Sequence, residues 1–322
     1  MIGRNWRWLV AIGTAAAFLI VSAIVLTGVI DETEAVLVDE TEVISEACCE
    51  NAQSGYATPT LRVAIAAMIS PETTKRYYGD LMRLIGKRMG RRTVFLQRKT
   101  YAEVNNLLEA KEVDLAFVCA GPYVDGHDKF GMEILAVPVV NGERYYRSLF
   151  IVHRDSNIQD FEGLKGKRFA FTDPDSNTGS LVPRFVLAKR GTIPEKFFKE
   201  TFFTNSHDNS IKAVADGLAD GAAVDSLVWE FMKTTDPDLV GRTRVVHSSP
   251  RYGIPPVVVH PHMADSAKKE LRETFVSLHG DTTASPLLRE LRIERFEDGE
   301  DEAYDKVREM RDWIALKTEA GG

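Results

Sequence analysis

Between residues 172 and 184 the chain reads Thr-Asp-Pro-Asp-Ser-Asn-Thr-Gly-Ser-Leu-Val-Pro-Arg. Ser176, Asn177, Thr178 and Gly179 fall between an apolar run, Arg168-Phe169-Ala170-Phe171, and the helical pattern that begins at Leu181. A strand that turns into a helix here leaves backbone N–H groups unpaired and puts the positive end of the helix dipole at the turn. Hydroxyl and amide side chains add donors, and a glycine lets a ligand approach the backbone. The chemistry this suits is binding of an oxyanion, phosphate-like by preference. The same residue types are ordinary helix caps, so on this stretch alone both readings stand.

His207 opens a further helical segment and could donate to the same anion, or cap its helix. Asp225 ends the small-residue run Gly221-Ala222-Ala223-Val224. A carboxylate beside an anion repels it unless the ligand brings a proton or an ammonium group, so Asp225 would select against sulfate. Its other reading is a cap for the helix from Ser226. No Ser–His–Asp or Cys–His pairing, no histidine spacing for a metal and no phosphate loop ending in Gly-Lys-Ser/Thr is present. No catalytic residue, metal or cofactor is therefore assigned.

These residues need a scaffold, and the pattern supplies one. Apolar runs at 61–67, 93–96, 113–118 and 134–140 read as strands, with helical faces between them. Tyr77, Leu81, Leu84, Ile85 and Met89 share one such face; Val104, Leu107 and Leu108 share another. A second alternating set covers 148–152, 167–171, 201–204 and 221–225, with Ile211, Val214, Ala215 and Leu218 facing inward between the last two. A strand at 255–259 and helices near 264–279 and 302–317 follow. This order predicts an α/β protein with two parallel or mixed sheets and ligands near the carboxyl ends of the strands. Extended strands near 147–153 and 252–259 would join the units as a two-strand hinge. The expected division is lobe 1 at 61–147 plus 253–322 and lobe 2 at 148–252, with the ligand in the cleft between them. Ser70, Tyr123 and Tyr146 are candidates to face that cleft; each could equally be packing.

Ahead of the folded part, Leu9 to Ile30 carries no charge over 22 residues. That exceeds the about 7–15 residues of a signal-peptide core and matches the about 20 that span a bilayer. Arg4 and Arg7 precede it and eight acids follow between 31 and 50, which places the bulk of the chain outside the cytoplasm. Residues 1–30 are thus read as an N-terminal transmembrane helix or signal sequence and 31–60 as an acidic flexible tether. Cys48 and Cys49 lie in the tether, and Cys119 reads as a buried small hydrophobe. Setting the leader and tether aside leaves 38 of the 40 basic and 39 of the 47 acidic residues, so the folded part is near neutral. Nothing in this balance suggests a nucleic-acid surface.

Three motifs together resemble one family. Asp173 to Pro183, Ser206-His207-Asp208-Asn209-Ser210-Ile211-Lys212-Ala213-Val214-Ala215-Asp216-Gly217 and Ala219 to Asp225 resemble the signatures of periplasmic phosphonate/phosphite/phosphate-binding proteins of ABC importers. They occur in the family's order within about 61–285. The resemblance implies a type 2 periplasmic-binding-protein fold, phosphoryl oxygens held by Ser176, Asn177 and Thr178, tyrosines at positions such as Tyr123 and Tyr146, and an ABC permease as partner. Asn177 stands where the family pattern has Ser or Thr; its amide also donates. The expected function is extracytoplasmic capture of a phosphonate, phosphite or phosphate, in the periplasm and tethered to the inner membrane. The alternative is a membrane-anchored ligand sensor that signals to a partner such as a histidine kinase. An enzyme on the same fold comes third.

Overall fold

A computed structural model describes residues 59–320. The expected membrane anchor, the tether, Cys48 and Cys49 lie outside the described residues. Among those described, no helix is long and apolar enough to cross a membrane.

The first half of the fold starts with β1 (Thr60–Ile65), α1 (Pro71–Arg88), β2 (Arg92–Leu96), α2 (Tyr101–Glu109), β3 (Leu115–Phe117), α3 (Ala120–Phe130) and β4 (Glu133–Val139). In β1, Leu61, Val63, Ala64 and Ile65 are all buried, the near-continuous apolar run of a strand covered on both faces. Helix α1 buries Leu81, Met82 and Ile85, while Tyr77, Leu84 and Met89 pack half-buried along the same side. Helix α2 opens with a capping box, Thr100 and Glu103 each bonding the other's backbone.

The chain crosses to the second half through β5 (Tyr145–Tyr146). There it builds β6 (Ser148–His153), β7 (Arg168–Phe171), α4 (Val182–Lys189), α5 (Pro194–Phe197), β8 (Glu200–Phe203), α6 (His207–Ala215), β9 (Gly221–Asp225), α7 (Ser226–Thr235), α8 (Pro237–Val240) and β10 (Thr243–Ser248). It returns through β11 (Tyr252–Gly253) to β12 (Val257–Val259), α9 (Asp265–Ser277), α10 (Ala284–Glu290), β13 (Arg295–Glu297) and α11 (Asp305–Ala320).

Two main sheets result. The first has the order β13-β4-β12-β3-β1-β2, the second β10-β6-β9-β7-β8, and β5 pairs with β11 in a two-stranded ribbon. Strands β1, β2 and β3 are parallel, as are β7, β8 and β9, whereas β12, β13, β6 and β10 run antiparallel to their neighbours. The small residues of β9 fit its central place: all five are buried, and a Cβ on Gly221 would stand 2.4 Å from Leu164.

The fold departs from the sequence pattern at α3, at Leu218 and at the expected hinge strands: β6 (Ser148–His153) lies within the second sheet and β12 within the first, and the ribbon between the halves is β5 paired with β11. Helix α3 forms directly after β3 although Gly121, Pro122 and Gly126 weaken the helical signal. Gly121 is there because a Cβ would approach the Asp175 carbonyl oxygen to 2.5 Å. Leu218 is not inward but 63% exposed, because α6 ends at Ala215 and Gly217 takes a positive φ of 73° that turns the chain away.

Candidate functional site

Strand β7 delivers Thr172 and the following turn to the carboxyl end of the second sheet. Asp173 holds the turn with a side-chain bond from Asp175 N–H (2.8 Å) and a carbonyl bond from Ser176 N–H (3.0 Å). The Ser176 hydroxyl accepts from Gly179 N–H at 3.0 Å, an N-cap. Leu181 N–H reaches five residues back to the Ser176 carbonyl (2.9 Å), so the chain makes one wide turn before α4. Pro183 sits in the first turn of α4, where no N–H is needed.

Ser176, Asn177, Thr178 and Ser180 are fully buried around this turn. The Thr178 carbonyl accepts from the Ser148 hydroxyl (2.7 Å), but Thr178 Oγ1 has no partner. Asn177 donates its amide NH2 to the Tyr146 hydroxyl (3.0 Å), and its Oδ1 is unpartnered. Turning that amide over would let Tyr146 donate to Oδ1 and free the NH2 for a ligand. Cys119 Sγ lies 3.5 Å from the same phenol. Tyr101, at the N-terminus of α2, adds a buried hydroxyl with no hydrogen-bond partner of good geometry. Burial pushes the phenols of Tyr101 and Tyr146 well up, so both stay protonated and able to donate.

His207 starts α6 and is fully buried beside the turn. Its Nδ1 accepts from Asp225 N–H (3.2 Å) and lies 3.0 Å from Thr172 Oγ1. A backbone N–H can only donate, so the ring proton belongs on Nε2, which is 3.4 Å from Ser176 Oγ. Burial lowers the His207 pKa to about 3, so the ring is neutral and offers a single N–H donor toward the turn. The Asp225 carboxylate caps α7 through Leu227 N–H (2.6 Å), and burial raises its pKa to about 7.

The structure brings Ser176, Asn177, Thr178, His207, Asp225 and Tyr146 into one cluster. Three candidates stand differently. Gly179 donates its N–H to the cap, and its missing Cβ makes room for Thr172, 2.4 Å from where that atom would be, which gives this glycine a packing reason of its own. Tyr123 gives its hydroxyl to Asp301 (2.8 Å) and packs its ring at a tilt against Tyr304. Ser70 precedes α1, with its N–H on both oxygens of Asp208 (3.0 Å each) and its hydroxyl on Thr73. The sequence reading passed over Tyr101, which was visible as the first residue of a helix at the carboxyl end of β2. It also passed over Thr172, whose role depends on a contact 35 residues away.

The two halves meet beside this cluster through two matched contacts. Asp173 Oδ2 accepts from Tyr101 N–H at the start of α2 (3.1 Å), and Asp208 accepts from Ser70 N–H at the start of α1. The His207 N–H adds a bond to the Met68 carbonyl at 3.0 Å. Carboxylates from the second half thus occupy the positive ends of two helices of the first.

Two mixed α/β sheets joined by a paired crossover, with a donor-lined turn at strand ends, are the architecture of periplasmic solute-binding proteins. A sequence model of the family described as "ABC transporter, phosphonate, periplasmic substrate-binding protein" matches residues 63–304, and the chain belongs to that family. The family is one of substrate-binding proteins, not enzymes. The chain is 24% identical over 222 residues to the Phosphonates-binding periplasmic protein of Escherichia coli (strain K12), covering 67% of this chain and 65% of that one. It is 29% identical over 186 residues to the Phosphate-import protein PhnD of Mycolicibacterium smegmatis, covering 54% and 57%. Both matches span less than two thirds of the relative's own length. Among solved structures, a binding protein component of an ABC phosphonate transporter from Pseudomonas aeruginosa superposes with a TM-score of 0.75 at 25% identity, covering 79% of this chain and 86% of that one. PhnD1 from Prochlorococcus marinus in complex with methylphosphonate gives a TM-score of 0.72 at 20% identity, over 80% and 98%; at that identity the likeness speaks for the fold.

Proposed function

We propose that this chain is an extracytoplasmic solute-binding protein that captures a phosphonate, phosphite or phosphate between two lobes and passes it to an ABC permease. The observation that carries the reading is the cluster of uncommitted polar groups at one turn. Thr178 Oγ1, the Asn177 amide and the Tyr101 hydroxyl are buried and incompletely bonded, beside the neutral His207 N–H and the Ser176 hydroxyl. Buried polar groups are normally paired, and donors grouped this way at a strand-to-helix turn suit an oxyanion. Ser176, Asn177, Thr178, His207 and Tyr146 would hold the oxyanion, with Asp225 at its edge accepting a ligand proton. The lobes are 61–147 plus 253–322 and 148–252, and the β5–β11 ribbon between them would act as the hinge. Residues 1–30 would anchor the protein to the inner membrane, with 31–60 as tether. None of the relatives named above is a sensor, and no observation favours that alternative.

Calorimetry of the full-length chain against phosphate, phosphite and methylphosphonate tests the reading, with sulfate as control. A hydrogen bond to a charged group contributes about 1.5–3 kcal/mol. Thr178→Ala should therefore weaken every phosphorus ligand by roughly 10- to 150-fold at about 1.4 kcal/mol per decade. If Thr178→Ala and Ser176→Ala bind all of them as the parent does, the turn is only a helix cap.

A further inference from the structure

On the Nδ1 side of the His207 ring stands a line of hydroxyls. Thr172 Oγ1 is 3.0 Å from Nδ1, Ser210 Oγ is 3.2 Å from Thr172 Oγ1, and Thr204 Oγ1 is 2.6 Å from Ser210 Oγ. Thr172, Ser210 and His207 are fully buried, and Thr204 is half-buried. Thr172 Oγ1 also lies 3.5 Å from the Ala223 carbonyl, farther than from the ring nitrogen. The Phe171 and Ser206 carbonyls near Thr204 Oγ1 already accept from the Thr204 and Ser210 N–H groups. The Thr204 proton is thus free for Ser210, the Ser210 proton for Thr172 and the Thr172 proton for Nδ1, so the line ends on the ring.

We propose that Thr172 is a positioning residue of the anion site: its hydroxyl, backed by Ser210 and Thr204, holds the His207 ring so that Nε2–H is aimed at an oxyanion on the Ser176–Thr178 turn. The proposal rests on the anion reading of the turn and adds what keeps its ring donor in place. The torsion that turns a histidine ring is roughly two-fold. Turned over, His207 would put carbon atoms where Nδ1 and Nε2 now stand, and the turn would lose an N–H donor. The two orientations have the same shape, so hydrogen bonds at Nδ1 decide between them. The Asp225 N–H supplies one at 3.2 Å and Thr172 the other at 3.0 Å. Two donors at Nδ1 also keep the ring proton on Nε2, 3.4 Å from Ser176 Oγ. The turn itself is packed against this pair: a Cβ on Gly179 would come within 2.4 Å of Thr172 Oγ1 and 3.1 Å of His207 Cε1. A valine would fill the space of Thr172 but leave the ring to Asp225 alone.

The test compares Thr172→Val and Thr172→Ser with the parent in the full-length chain. Nitrogen NMR of isotope-labelled protein without ligand reads the ring, the His207 signals being assigned by their loss in His207→Gln. Thr172→Val should move the Nδ1 resonance toward that of a ring nitrogen with fewer hydrogen-bond donors, and Thr172→Ser should leave it at the parent's position. In calorimetry, Thr172→Val should bind phosphate and methylphosphonate about 2- to 12-fold more weakly, which is about 0.5–1.5 kcal/mol for one neutral hydrogen bond, and Thr172→Ser should bind them as the parent does. Should Thr172→Val fail to fold, Ser210→Ala, one hydroxyl further back, reads the same two quantities in the same direction. An Nδ1 resonance that does not respond to loss of the hydroxyl overturns the proposal, because Thr172 is then only packing. A shifted resonance with unchanged affinity also overturns it, since the contact then does not serve the ligand. Either result leaves the anion reading in place as long as the parent binds. If the parent binds neither anion, the anion reading fails and the proposal falls with it.

Discussion

Asp225→Asn should make the protein more stable, and increasingly so as the pH rises. The Asp225 carboxyl is buried, and its pKa is raised to about 7 because burial disfavours the charged form; bonds from the start of α7 offset this only in part. In the unfolded chain the value is about 3.9. Between roughly pH 4 and 7 the native protein therefore holds a proton that the unfolded chain has released. Where the native state binds more protons, stability falls as pH rises. At about 1.36 kcal/mol per pH unit, ionisable Asp225 costs about 1.5 kcal/mol at pH 5 and about 4 kcal/mol at pH 8. Asparagine keeps an oxygen for Leu227 N–H and never ionises, so the variant escapes the cost. His207 slopes the other way: its pKa is lowered to about 3, so stability is lost as pH falls below its unfolded value of about 6.5. That slope is common to parent and variant and cancels in their difference. Denaturant unfolding of both proteins at pH 5, 6, 7 and 8, without ligand, measures that difference. It should widen by about 2.5 kcal/mol across the series. Parallel curves would show that Asp225 is ionised in the fold at little cost, and the account of a buried, protonated carboxyl would be wrong.

Other outcomes follow from single contacts. Gly179→Ala forces a Cβ to within 2.4 Å of Thr172 Oγ1 and should cost about 1–3 kcal/mol by overpacking, read from thermal melts; a neutral change would mean that the turn shifts freely. Tyr123→Phe removes a bond to Asp301 and should leave phosphonate affinity unchanged in calorimetry, whereas a tenfold loss would put Tyr123 in the site. Between about pH 6.5 and 4 the slopes of His207 and Asp225 oppose each other, so His207→Gln should leave a stability that rises as pH falls across that range; a pH profile unchanged from the parent would show that His207 does not resist protonation.

Much of this architecture is legible in the sequence because it rests on period and composition. Strand β1 is apolar from Leu61 to Ile65 but for Arg62, β7 is apolar from Phe169 to Phe171, and α2 announces itself with Thr100 and Glu103 three residues apart. What stays hidden depends on contacts between distant segments. Helix α3 contains Gly121 and Gly126, poor helix formers; Gly121 makes sense only once Asp175 is seen against it. The purpose of Gly179 likewise becomes clear only with Thr172 across the turn. Leu218 continues the spacing of Ile211 and Val214, yet Gly217 ends that pattern with a left-handed residue, which period counting does not see. For the site, residue type and position at strand ends pointed to Ser176, Asn177, Thr178, His207 and Asp225. Tyr101 and Tyr146 read no differently from Tyr123, and only the fold separates them.

The carboxylates of Asp173 and Asp208, each seated at the start of a helix from the opposite half, bear on timing. Their bonds form between protein groups alone, so they can join the halves without a ligand between them. A ligand enclosed there, as proposed, would leave no faster than those bonds and the His207–Met68 bond open. Occupancy would then persist through slow escape, and not only through tight contacts to the phosphorus oxygens. A membrane partner that drew Asp208 away from Ser70 would shorten that dwell time without touching the ligand, turning release into an event set by docking.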